Sequence, residues 1–328
     1  MLIDPFGRQI TYLRISVTDR CNLRCVYCMP VEGVPWQTHE SIMRYEEITQ
    51  VVKVAAAEGI REVRLTGGEP LVRKDLHELV RMIVAVPGIE DVSLTTNGIL
   101  LAGQIEQLAD AGLKRINISL DTLDADKFRK ITRGGELEKV WEGIAAAEAH
   151  GIAPIKLNMV VLRGVNDDEI ERMASLTNDH AWQIRFIELM PIKNQAPWGA
   201  GFPAPESMFF PISEVRKRLE VMGLQPTMPA IGSGPAEDFQ IPGTRGTIGF
   251  INPLSQSFCQ RCNRLRLTAD GNLRPCLLSD GEISLLPALR AGEDILPLIR
   301  QAVTAKPSGH ELNQQHAPVG RCMMQIGG

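Results

Sequence analysis

Three cysteines packed into eight residues, Cys21-Asn22-Leu23-Arg24-Cys25-Val26-Tyr27-Cys28, follow the first strand-like run of the chain. This C-x3-C-x2-C spacing is an iron-sulfur signature. A 4Fe-4S cubane is ordinarily held by four thiolates, so a triplet leaves one iron open, and an open position is where a metal site takes up substrate or cofactor. Buried unconnected thiols, a zinc site completed by His39 or His77, and a disulfide are the alternatives for the same residues. A second triplet, Cys259, Cys262 and Cys276, repeats the theme as C-x2-C-x13-C. A zinc ribbon needs a fourth ligand and typically a paired C-x2-C; none follows, and His310 and His316 are distant. The second triplet reads as another cubane with a free iron, with zinc as its alternative. Arg264 and Arg266 lie on one side of the intervening strand, where two guanidinium forks suit a phosphate or a base edge. Cys322 stands apart from both triplets and is not expected to be a ligand.

The elements that must position these groups alternate strand and helix. Strands are predicted near 11–18, 62–66, 91–97, 115–121, 155–161 and 183–188. Between them, Ile48, Val51, Val52 and Ala55, and then Leu76, Leu79, Val80 and Ile83, recur at helical spacing over 46–57 and 75–86. Strands separated by helices imply right-handed crossovers and a parallel sheet. Six units are too few to close an eight-stranded barrel. The fold class expected is α/β, an open six-unit βα partial barrel over 1–225, with a smaller C-terminal iron-sulfur domain over 226–328. From Pro191 to Gly246 the texture turns to Pro, Gly and Ser, with one helical island near 212–222, and Asp270-Gly271 signals a hairpin.

Each strand splits by period 2. Leu13, Ile15 and Val17 oppose Arg14, Ser16 and Thr18; Val63 and Leu65 oppose Arg64 and Thr66; Val92 and Leu94 oppose Ser93, Thr95 and Asn97. Ile116, Ile118 and Leu120 oppose Asn117, Ser119 and Asp121, and Ile155, Leu157 and Met159 oppose Lys156 and Asn158. Helices must cover the apolar set, so the polar set faces the lumen of a curved sheet, because parallel sheets are covered on both faces. Polar residues facing water on a one-sided sheet are the alternative. A lumen bearing Arg14, Arg64, Lys156, Thr95 and Ser119 suits an anionic ligand. The sixth strand breaks the pattern, since Ile187, Glu188 and Met190 do not continue the alternation of Gln183 to Phe186.

The turn Thr66-Gly67-Gly68-Glu69-Pro70 lets backbone approach a ligand closely, although alone it could be any tight turn. Beside the first triplet, with Tyr27 directly before its last cysteine, it resembles the radical S-adenosylmethionine (SAM) superfamily. That resemblance implies SAM on the open iron, with Tyr27, Gly67, Gly68, Glu69, Ser119 and Met190 around it, although Met190 could equally be packing. Thr96-Asn97-Gly98 resembles another turn of the superfamily. The run from Cys259 through Asn263-Arg264-Leu265-Arg266-Leu267-Thr268-Ala269-Asp270-Gly271 to Cys276, Asp19-Arg20-Cys21-Asn22, and the ending Ile326-Gly327-Gly328 narrow it further. They resemble the radical SAM lyases that cyclise GTP at the first step of molybdenum cofactor biosynthesis.

This second resemblance covers nearly the whole chain. It implies two 4Fe-4S clusters, and GTP held by Arg14, Arg64, Thr95, Lys156, Arg264, Leu265 and Arg266. Arg14, Arg264 and Arg266 are its catalytic residues, with Gly327 and Gly328 entering the site on an inserted tail. A 5′-deoxyadenosyl radical takes the 3′ hydrogen of GTP, the C3′ radical attacks C8, and reduction then gives 3′,8-cyclo-7,8-dihydro-GTP. An electron donor, and a partner that converts the product to cyclic pyranopterin monophosphate, are implied; a homodimer is compatible with the chain. Three features depart from the pattern: a long linker around Trp198 to Phe210, Asp238-Phe239 in place of an aromatic-rich segment, and Cys322 in the tail.

Composition bounds the alternatives. The 328 residues suggest about two domains, and 44% hydrophobic with 23% charged residues suits a soluble globular chain. Lys and Arg number 35 against 39 Asp and Glu, a net charge of −4, so no global basic field points to nucleic acid. No apolar run reaches membrane-span length, and Met1 to Arg8 is neither signal nor transit peptide. A cytoplasmic location follows, and two cysteine triplets suit metal clusters better than disulfides there. A peptide-modifying radical SAM enzyme would usually need more C-terminal cysteines. An electron carrier has no use for a cationic lumen.

Overall fold

A computed structural model describes residues 1–190, 192, 198–199, 201–228, 234–310 and 318–327. Six successive strands are parallel neighbours in chain order: β1 (Tyr12–Ser16), β2 (Glu62–Thr66), β3 (Asp91–Thr96), β4 (Arg115–Ser119), β5 (Ile155–Val161) and β6 (Gln183–Glu188). These are the six expected units. Beyond them lie β7 (Gln225–Pro226), β8 (Glu237–Gln240), β9 (Thr247–Ile251), β10 (Arg264–Leu267), β11 (Asn272–Arg274) and β12 (Ile283–Ser284). The C-terminal third extends both edges of the sheet: β9 joins β6 and β10 joins β1, each in parallel. The order is β12-β11-β10-β1-β2-β3-β4-β5-β6-β9-β8-β7, so among the described residues the sheet curves without closing.

The period-2 split explains the layers. Leu13, Ile15, Val63, Leu65, Leu94, Ile116, Ile118, Leu157 and Met159 are buried in one continuous core, and burying such a side chain contributes roughly 1.5–3 kcal/mol. Helices cover that face. Helix α1 (Tyr45–Ala57) buries Ile48, Val51, Val52 and Ala55, and α2 (Leu76–Val84) buries Leu76, Leu79, Val80 and Ile83. Glu47 accepts from the Arg44 backbone N–H at 2.7 Å, closing the first turn of α1. The second helix starts one residue later than its periodicity suggests, because Asp75 takes a left-handed φ of 55°. The island in the linker is a helix over Ile212–Glu220, and Ile212, Val215 and Leu219 are its buried face.

Strand ends matter most for the site. The sequence extends β1, β3 and β4 past their observed ends; there Asn97 and Asp121 leave the ladder and turn into loops. Those loops stand at the C-terminal ends of parallel strands, where curved α/β sheets bind ligands. No helix among the described residues is long and apolar enough to cross a membrane.

Candidate functional site

The polar face of the sheet opens into one cavity of about 1540 Å³, counting its mouth. The loop after β1 supplies Cys21, Cys25, Tyr27 and Cys28, and the turn after β2 supplies Gly67, Gly68 and Glu69. A Cβ on Gly67 would stand 2.7 Å from the Thr18 carbonyl oxygen, and one on Gly68 would overlap that of Arg20. Only glycine lets this turn pack against the cysteine loop.

All seven cysteines are free thiols. Burial pushes Cys21 up to about 11 and also raises Cys25 and Cys28, Cys25 being raised in addition by the charges of Cys28 and Cys21, and Cys28 by that of Cys21. Among the described residues no group of three or more His, Cys, Asp or Glu side chains is placed to hold a single metal ion. Neither His39 nor His77 lines the cavity, and His77 instead faces Glu78 at 3.1 Å. Three clustered thiols on a desolvated wall are a donor set that fits an iron-sulfur cubane, whose irons take thiolate ligands.

Glu69 is buried, accepting from Leu71 N–H at 3.0 Å, Thr96 hydroxyl at 2.6 Å and Asn97 N–H at 2.7 Å. Burial still carries its carboxyl up to about 7. The carboxylate thereby fixes the Thr96-Asn97-Gly98 turn. Tyr27 donates its hydroxyl to Asp121 at 2.6 Å, and burial raises Asp121 to about 6. Ser119 and Met190 line the same half of the site.

The other half is cationic. Arg14, Arg64, Arg264 and Arg266 line it as the alternation implies, joined by Arg185 from β6. Burial first, and then their mutual repulsion, lowers Arg14 and Arg264, and brings Arg266 to about 10 and Arg185 to about 9. Tyr12 is wedged between two of them, with the Arg64 guanidinium 5.6 Å and that of Arg264 5.7 Å from its ring centroid. Thr95 Oγ1 and Asn158 Oδ1 are buried without a hydrogen-bond partner, and both residues line the cavity. Buried polar atoms are normally paired, and these two are placed where a ligand in the cavity could pair them.

Several expected positions differ. Lys156 is 1% exposed and is not among the residues that line the cavity. Burial and the charges of Arg185, Arg115 and Arg64 lower it to about 6, so the expected lumen cation is largely neutral at pH 7. Leu265 turns its side chain into the core, as period 2 between Arg264 and Arg266 requires, leaving only its backbone for any ligand. The second triplet does not line the cavity, although its neighbours Phe258, Arg264 and Leu277 do. Gly327 brings its carbonyl to Arg14 Nε at 3.1 Å and to Arg266 at 2.7 Å. Its φ is 66°, and a Cβ there would stand 2.6 Å from Thr66 Cγ2. Gly328 and His316 lie outside the described residues.

Lys306 escaped sequence reasoning because it lies more than forty positions from its partner. Its ammonium donates to Cys262 Sγ at 3.5 Å and to the Arg264 and Pro275 carbonyls at 2.8 Å each. Burial raises the Cys262 thiol, yet Lys306 and Arg264 outweigh it and the net shift is downward.

Comparison with known proteins fits this geometry. Residues 15–177 match the Radical SAM superfamily model, and 182–312 match that for Molybdenum Cofactor Synthesis C. GTP 3′,8-cyclase of Moorella thermoacetica is 52% identical over 330 residues, covering 99% of both chains; that of Pelotomaculum thermopropionicum is 50% identical over 331 residues with the same coverage. The chain belongs to the GTP 3′,8-cyclase family. Streptococcus suis SuiB, solved with S-adenosylmethionine, shares the fold with a TM-score of 0.63 at 13% identity, over 89% of this chain and 66% of that one. Radical SAM membership implies a 4Fe-4S cluster and SAM, which the first triplet and the Gly67-Gly68 turn suit.

Proposed function

We propose that this chain is a radical SAM GTP 3′,8-cyclase that converts GTP to 3′,8-cyclo-7,8-dihydro-GTP, the first step of molybdenum cofactor biosynthesis. The observation that carries it is the convergence of a three-thiol wall and five arginines on one cavity. When bound, the cluster supplies the electron that cleaves SAM to a 5′-deoxyadenosyl radical. The chain's own residues decide what that radical meets.

Gly67, Gly68 and Glu69 hold the amino-acid end of SAM, Tyr27 and Ser119 its middle, and Met190 its adenine. Arg14, Arg64, Arg264 and Arg266 neutralise the triphosphate, and Thr95 bonds the nucleotide through its unpaired hydroxyl. Holding reacting atoms in an attack geometry supplies much of a rate enhancement, and the covered barrel keeps water away. Arg14, Arg266 and the Gly327 carbonyl form one hydrogen-bonded unit, which orients Arg14 toward the nucleotide. Cys259, Cys262 and Cys276 would hold a second 4Fe-4S cluster, within a substrate-binding unit over 226–328 that completes the 1–225 barrel. A low-potential electron donor and a downstream enzyme that rearranges the product to cyclic pyranopterin monophosphate act with it in the cytoplasm.

Anaerobically reconstituted, reduced protein given SAM and either GTP or ATP provides the test. Cyclised product is expected from GTP alone. Cys21→Ala abolishes 5′-deoxyadenosine formation, whereas Cys262→Ala leaves uncoupled cleavage without cyclised product. Absence of 3′,8-cyclised nucleotide from fully loaded protein that still cleaves SAM sinks the assignment.

A further inference from the structure

The tail that carries Gly327 is held at two points, and its far end meets Arg14 and Arg266. Its near end is Arg321. The Arg321 guanidinium grips Glu282 with two parallel bonds, Nε to Oε1 at 2.6 Å and a terminal nitrogen to Oε2 at 2.7 Å. That same nitrogen reaches Asp270 Oδ2 at 2.8 Å. Two residues earlier, the Val319 and Gly320 N–H groups donate to Asp280 at 3.0 and 3.1 Å. Three carboxylates thus receive one short stretch of chain.

Placement makes this more than a surface ion pair. Asp270 occupies the turn joining β10 to β11, and β10 carries Arg264 and Arg266. Arg266 is in turn the donor to Gly327. The anchor and the target of the tail therefore sit on one hairpin, and the seven residues from Arg321 to Gly327 span them through a turn at Met323–Gln325. The three side chains are only 16–22% exposed, and a bidentate Arg–carboxylate pair fixes direction as well as distance. A shift at Arg321 would carry straight to the Gly327 carbonyl.

We propose that Arg321 is a positioning residue, setting the register in which the tail presents Gly327 to Arg14 and Arg266. The proposal rests on the reading of the tail as part of the active site. Arg321 does not line the cavity, so its loss leaves SAM cleavage intact and uncouples it from cyclisation.

The test uses the full-length reconstituted enzyme carrying Arg321→Gln. Iron content and SAM binding should match wild type. The ratio of cyclised product to 5′-deoxyadenosine should fall about tenfold or more, as expected when one partner of a desolvated charge pair is removed. A second readout needs no activity: carboxypeptidase should release the last residues of the cluster-free variant about tenfold faster, since a frayed terminus is the default. Arg321→Lys, which keeps the charge without the planar fork, should fall between. If R321Q loses iron, Asp270→Asn serves instead and should shift both readouts the same way. Wild-type digestion and product ratio in these variants would overturn the anchor. A chain lacking Gly327 and Gly328 with an unchanged ratio would overturn the tail reading itself, a separate outcome.

Discussion

Lys156 shows how a single residue can report ligand binding through its proton. Its pKa is lowered to about 6 by burial and by the arginines around it, so above that pH the empty site holds it mostly neutral. A triphosphate reverses the local sign and draws the pKa back toward the ordinary lysine range. At pH 8, GTP binding should therefore take up a proton, and affinity should fall as pH rises beyond about 6. Below that pH the proton is already present and no uptake is expected from this group. Calorimetry at pH 8 in two buffers of different ionisation enthalpy measures the uptake, and Lys156→Met should remove it; identical heats in both buffers for wild type would refute it. Tyr12 acts at the same scale. Tyr12→Phe should be nearly silent, because the ring suffices to separate Arg64 from Arg264, whereas Tyr12→Ala should raise the KM for GTP several-fold. An unchanged KM in Tyr12→Ala would show that the ring does not order the guanidiniums.

At the scale of elements, much of the site was legible because parallel strands write their two faces into alternate residues. Arg14, Arg64, Thr95, Asn117, Ser119 and Asn158 all line the cavity as that alternation requires. Arg185 escaped because β6 loses its simple pattern at Glu188. That carboxylate is buried, accepting from the Ile212, Leu254 and Ser255 N–H groups, and so serves the loops behind the strand. Lys306 was illegible for a different reason, since its role depends on a tertiary contact with no periodic signature. The Gly67-Gly68 turn was legible as a motif, but its physical reason was not. Its glycines admit the Thr18 and Arg20 carbonyls of the cysteine loop, so Gly68→Ala must displace one wall of the cluster site. The expected outcome is at least tenfold less 5′-deoxyadenosine per iron, in line with the ~1–3 kcal/mol cost of overpacking. Wild-type cleavage by a Gly68→Ala variant with full iron content would show that the loop yields freely.

For the whole molecule, five arginines facing one cavity mean that the empty fold carries a repulsion which its ligand relieves. Polyanion binding and fold stability are then linked: at about 100 times its Kd, GTP should add ~2.7 kcal/mol to the folded state and raise the melting temperature by several degrees. Arg185→Met separates the two effects. Removing one cation that burial, and then the charges of neighbours such as Arg64, bring to about 9 should leave the ligand-free protein as stable as wild type or more so, while shrinking the GTP-induced rise. Arg61→Ala supplies the control, because Arg61 pairs with Glu90 on the surface, with half of its side chain exposed, and such pairs are worth about 0–1 kcal/mol. Differential scanning fluorimetry with and without GTP, repeated at high salt to screen exposed charge, measures all three proteins. A GTP-induced rise in Arg185→Met equal to that of wild type would mean that the arginines act independently and that the cavity is not one electrostatic unit.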